Sequence, residues 1–236
     1  MTIRLCALIA FSAASFLRAA DAEDTRKVQV SHSEHMDFPA GGTLHVVNST
    51  GTLTVEAWDR PEIEVTTTKS SAWEYPASER EKVAKDLESV KVSMERKGND
   101  LVVTTNSHWY ASADLDVLIK VPSSTKLIDN HRDGSVSVDG LTSDIEVTLR
   151  TGEIVLHLPQ DAHYDIHAKC GIGNVNSDYA GQEKRVWFFG HKIENEASPA
   201  DHRLNLKVKV GDIVLLKTQL PKYPEPLPPA PKSKGF

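Results

Sequence analysis

The 236-residue sequence carries 27 Lys+Arg against 33 Asp+Glu, a formal net charge of -6, with 39% apolar and 25% charged residues. The length suits one domain of unusual shape or two small ones, and the composition lies far from that of disordered chains. A mildly acidic chain lacks the basic footprint that nucleic-acid binding needs, so nucleic acid is excluded as the expected partner.

The first element is a targeting segment. Leu5 to Leu17 form an apolar run behind Arg4. The run is too short to span a bilayer and has the flanks of a secretory signal. Ala20-Asp21-Ala22 sets small residues ahead of a cleavage point, which predicts cleavage after Ala22. Residues 1–22 take Arg4, Arg18 and Asp21 with them and leave 25 basic and 32 acidic residues, a net charge of -7. Cys6 leaves with the signal and Cys170 stays, so no intrachain disulfide is available even where export permits one. No later stretch is long and apolar enough to cross a membrane. The expected location is therefore periplasmic or extracellular.

The body, residues 23–220, reads as a β-repeat domain. A twelve-residue unit places apolar residues at positions 1, 3 and 5, glycine at position 8, and apolar residues again at 10 and 12. The copies begin at Leu44, Leu127, Ile145, Tyr164 and Leu204, with glycines Gly51, Gly134, Gly152, Gly171 and Gly211. Alternation of apolar and polar residues is the period of a half-buried strand. Glycine at position 8 suits a sharp corner between two strands. The glycine spacings of 18 and 19 residues in the middle of the chain fit one coil of a β-solenoid, in which stacking completes the core that a single coil lacks. The prediction is an all-β, solenoid-like stack of short glycine-cornered repeats with one short helix. A two-sheet β-sandwich is the alternative, because it has the same alternation.

Between the first two copies, strands are predicted at Glu62 to Thr68, Val90 to Glu95, Leu101 to Thr105 and Leu115 to Val121. Ser78-Glu79-Arg80-Glu81 reads as a capping box opening a helix at about 79–89, whose Val83 and Leu87 would dock on the sheet. Lys97-Gly98-Asn99-Asp100 predicts a hairpin turn. Trp73-Glu74-Tyr75 is expected in a loop, and Arg185 to Phe189 as a buried strand. Residues 221–236 hold six of the twelve prolines and are expected to form a flexible, extended tail.

Few residues offer chemistry. His163, His167 and Cys170 have a metal-like spacing, but the alternation sets His163, Asp165 and His167 outward and makes Cys170 a buried or corner residue. Asp114, Asp116, Asp129 and Asp133 are the carboxylates that a β-helical glycosidase would need to converge. Strand and turn solvation accounts for most of them, with Asp129 alone on the inward face. Trp58, Trp73, Trp109 and Trp187 with Tyr75 and Tyr110 could offer sugar-stacking surface. No nucleophile elbow, phosphate loop or zinc-protease motif is present. The expectation is no catalytic, cofactor or metal residue and no cofactor.

The string Val47-Asn48-Ser49-Thr50-Gly51-Thr52-Leu53-Thr54-Val55-Glu56-Ala57-Trp58, followed by Ile63-Glu64-Val65, resembles the opening of the bacterial putative-adhesin, or toast-rack, β-repeat family. The same holds for Leu115 to Pro122, Gly134 to Leu141 and Thr151-Gly152-Glu153-Ile154. The likeness runs from about 43 to 217. It implies an envelope-exposed, noncatalytic β-repeat domain, with some relatives tied to envelope stress systems or proposed as adhesins. It supplies no catalytic residues. The sequence thus reads as an exported binding module with an unknown envelope protein or polysaccharide as partner. The alternatives are a carbohydrate-active β-helix enzyme and a purely structural spacer.

Overall fold

A computed structural model describes residues 24–105, 113–179, 181–186, 190–195 and 200–219. The predicted signal, the Pro-rich tail, Trp109, Tyr110 and Trp187 lie outside the described residues. In chain order the elements are β1 (Arg26–Asp37), β2 (Thr43–Trp58), β3 (Glu62–Tyr75), α1 (Ala77–Glu88), β4 (Val92–Lys97), β5 (Asp100–Thr105) and β6 (Ala113–Pro122). Then come β7 (Lys126–Asp139), β8 (Ile145–Pro159), β9 (Tyr164–Ile172), β10 (Val175–Ser177), β11 (Gln182–Val186), β12 (Gly190–Asn195) and β13 (His202–Thr218).

The predicted repeats are β2, β7, β8, β13 and β9 with its continuation β10. They run parallel in that spatial order. Each buries one set of residues before its corner and the opposite parity after it. In β8 the buried set is Ile145, Val147 and Leu149, then Ile154, Leu156 and Leu158. In β13 it is Leu204, Leu206 and Val208, then Ile213 and Leu215. In a straight strand such a switch would send the second half to solvent. Here the chain turns at the corner, and both halves contribute to one apolar cluster.

Each coil therefore has two arms, and the stack has two ladders. β5 extends the first-arm ladder by pairing with Thr43 to Val47 of β2, and β4 pairs with β5. β6 extends the second-arm ladder by pairing with Thr52 to Trp58, followed by β3 and β1. At the other end β12 and β11 follow β9 on the first ladder, and β10 lies beside β13 on the second. Solenoid-like winding and a two-layer core are thus combined in one open stack.

The corners form a ridge of glycines. Gly51, Gly134, Gly152 and Gly211 are successive lateral partners, and Gly173 is next to Gly211. Their φ angles run from 104° to 135°, a region that L side chains rarely adopt. A Cβ on Gly152 would approach the Gly134 carbonyl oxygen to 1.7 Å, so space as well as backbone conformation demands glycine. The fourth repeat corrects the sequence reading. Its ridge residue is Gly173, since Leu204 pairs with Ile166 rather than Tyr164. The slip of two residues preserves every inward and outward assignment, because the side-chain period is two.

Spatial order also departs from chain order. β13 enters the stack between β8 and β9. The 40-residue spacing before Gly211 is filled by β10, β11 and β12, and Gly190 opens an antiparallel strand instead of making a corner. Arg185 and Val186 belong to β11, at the outer edge of the first ladder, while 187–189 lie outside the described residues.

Three other expectations change. The sequence reading missed β1, because Val28 is its only buried residue and an edge strand needs little apolar alternation. The helix starts at Ala77 behind Pro76, with no side-chain cap, so Ser78 and Glu81 do not form the capping box. Proline fits here because the first helical turn leaves backbone donors free in any case. Leu87 is buried on the helix, which packs against β1 and β3. Trp73 to Tyr75 lie in the last residues of β3, paired with the start of β1. The Gly98-Asn99 turn joins β4 and β5 as predicted, with Lys97 opposite Asp100.

Candidate functional site

The outward residues of the first arms build the most distinctive surface. At repeat position 4, Asn130, Thr148, Lys207 and Lys169 are lateral partners on β7, β8, β13 and β9. Lys192 of β12 continues that row beside Lys169, and Lys184 of β11 continues its backbone register. At position 6, Arg132, Arg150 and Lys209 lie side by side, next to Gly171. Of these, the residues on β7, β8, β13 and β9 border a groove of about 540 Å³.

Charge compensation across this surface is uneven. The Arg150 guanidinium donates two bonds to Asp133, one of 3.1 Å from Nε, and Arg132 Nε lies 3.8 Å from the same carboxylate. The Arg150 bonds hold Asp133 below the ordinary carboxylate range. Lys192 pairs with Glu194. Lys169, Lys207 and Lys209 are exposed and have no ion pair among the described residues. Strand neighbours sit ~4.8 Å apart, so like charges directly opposite each other oppose pairing. Sequence reasoning missed this surface. Its signal was basic residues at outward positions 4 and 6 of consecutive repeats.

The carboxylates singled out in the sequence do not converge. Asp114 and Asp116 lie on β6, with Asp114 3.7 Å from Lys27. Asp133 is bound to arginine near the ridge. Asp129 points into the core, 1% exposed, between the inward Val46 and Val147 of adjacent strands. Burial pushes its carboxyl well above the ordinary value and favours the protonated form. His131, also inward, donates from Nε2 to the Gly51 carbonyl at 3.1 Å. Burial lowers its pKa and favours the neutral ring. Its Nδ1 is 3.8 Å from Asp129, too far for a hydrogen bond.

The metal-like trio splits across the strand. His163 and His167 face outward, toward Asp201 and toward Asp165 and Glu194 respectively. Cys170 is buried, and its thiol donates to the Gly211 carbonyl at 2.8 Å. Among the described residues no group of three or more His, Cys, Asp or Glu side chains could hold a metal ion.

The described tryptophans form no common platform. Trp58 donates to the Glu62 carbonyl at 2.8 Å, with Arg60 and Lys120 over its ring. Trp73, 68% exposed, sits near the far end of β3.

No family model matches the chain, and no curated protein matches it. Comparison with solved structures finds distant likenesses. A putative cell adhesion protein from Clostridium sporogenes gives a TM-score of 0.46 at 14% identity, over 80% of this chain and 100% of its own. A putative adhesin from Parabacteroides merdae gives 0.29 at 13% identity, over 63% and 64% of the two chains. One from Bacteroides fragilis gives 0.27 at 7% identity, over 79% and 97%.

Proposed function

We propose that the chain is an exported β-repeat module of the cell envelope that works by binding, as adhesins do, and not by catalysis. The observation that carries this reading is the long open stack, whose outer first-arm face holds a groove with uncompensated cations. A fold that sets unpaired charged residues along an extended outer face suits adhesion to an extended partner. A carbohydrate-active enzyme finds less support, since retaining or inverting chemistry needs two carboxyl groups across one bond. Here one candidate is buried and another is bound to arginine.

The test uses the purified full chain. It should bind saturably to isolated envelope fractions or their polysaccharides, while assays for new reducing ends on the same polysaccharides stay at background. Sustained release of reducing ends, or no binding to any envelope component, would overturn the reading.

A further inference from the structure

We propose that the basic groove on the first-arm face is a binding site for an acidic polysaccharide, laid across the strands. The inference rests on the reading of the chain as a binding module and names the ligand class. Three observations converge on it. Lys207 and Lys169 are direct lateral partners, Lys209 is two residues along on the same face, and none of the three has a carboxylate partner among the described residues. Arg132 and Arg150, which hold Asp133, extend the basic strip toward β7. The surface is concave, with room for a chain to lie in it.

The chain as a whole is acidic, at -6, so a cationic strip on it is a local feature and not the overflow of a basic protein. Aligned ammonium groups repel one another and weaken the pairing of β13 with β9. A row of anionic groups offsets that repulsion when it docks. A polysaccharide with regularly spaced acidic groups meets a ladder whose rungs repeat at ~4.8 Å.

The acidic neighbours are few and engaged. Asp133 is held by Arg150 and Arg132, and Glu194 by Lys192. Glu146 lies one outward row away and accepts from Asn205 at 3.5 Å. None of them is an ion-pair partner of the three lysines.

The experiment titrates fluorescently labelled oligogalacturonate into the full chain, with a heparin-derived oligosaccharide as the sulfated arm. A neutral dextran oligomer and vesicles rich in anionic lipid complete the set. Saturable binding of an acidic oligosaccharide is expected, weakening as salt rises. The triple variant Lys169→Gln/Lys207→Gln/Lys209→Gln should bind at least about tenfold more weakly. Lys27→Gln/Lys120→Gln, at the opposite end of the stack, should leave binding unchanged. Circular dichroism and denaturation show whether each variant is folded, and a single Lys207→Gln serves if the triple is not. The carboxylated and sulfated arms identify the preferred anion. Binding of neither acidic oligosaccharide, binding that the lysine variants leave intact, or preference for vesicles would each overturn the proposal. Binding of envelope glycans that survives loss of the lysines would retain the broader function and remove only this site.

Discussion

The outer surfaces at the two ends of the stack handle polar groups in opposite ways. On β1, β3 and β6 they are matched across strands: Ser31 with Thr68 at 3.1 Å, Ser33 with Thr66 at 2.7 Å, and Lys120 with Glu64 at 3.1 Å. His35 also reaches Glu64, and Lys27 reaches Asp114. On β13 and β9 the lateral partners are Lys207 and Lys169, with Lys209 nearby and no carboxylate between them. At the first end these named groups are paired with one another. The second keeps charges that its own fold does not neutralise among the described residues.

The largest test removes the alignment that creates the second surface. Gly152→Ala places a Cβ against the Gly134 carbonyl at 1.7 Å and should cost more than about 3 kcal/mol, enough to abolish cooperative unfolding. Gly98→Ala, in the β4–β5 turn at φ 66° with nothing within 4 Å, should cost only about 1 kcal/mol. Urea denaturation of both variants would reveal the contrast; equal losses would mean that the ridge is not close-packed.

A smaller effect lies beneath the groove. Asp129→Val removes a buried carboxyl with no hydrogen-bond partner and should raise stability at pH 7 by about 1–3 kcal/mol. The pH dependence has a definite sign. Because the folded state holds the Asp129 proton more tightly, its contribution is complete below the ordinary value of 3.8 and is lost as pH rises toward the raised folded value. The variant's advantage should therefore grow from pH 4 to pH 7. His131 acts oppositely: its pKa is lowered, so its contribution is present above 6.5 and falls away as pH drops below that. Denaturation at several pH values, with His131→Leu in parallel, separates the two groups.

The finest test exchanges charge at each end. Lys207→Glu gives Lys169 an opposite neighbour and should stabilise the chain by about 0.5 kcal/mol. Lys120→Gln breaks the pair with Glu64 and should destabilise it by about 0.5 kcal/mol or less. Opposite signs in thermal unfolding would sharpen the contrast between the two ends; like signs would break it.

Much of the fold was legible because burial on strands leaves a period of two. Leu44, Ile145 and Leu204 announced their inward rows, and Asp129 could be assigned to the inward face from its repeat position alone. The candidate site was less legible. Lys169, Lys207, Lys209, Arg132 and Arg150 are scattered over nearly eighty residues of chain and meet only through strand pairing. Even the corner of the fourth repeat was ambiguous, since Gly171 and Gly173 are two residues apart and satisfy the same alternation. β1 left almost no trace, because an exposed edge strand makes little demand on side-chain burial.

By itself the sequence determined the strand character, the inward and outward faces and the need for glycine corners. These follow from local alternation and from backbone sterics, which any nearby segment can express. Only the tertiary structure decided which coils are neighbours. The insertion of β13 between β8 and β9 sets Lys207 against Lys169, and the bend at each glycine joins two arms around one core. Parallel partners with the same apolar pattern are interchangeable to local physics. Their order is selected by the packing of the whole stack, and the cationic groove exists only as a consequence of that order.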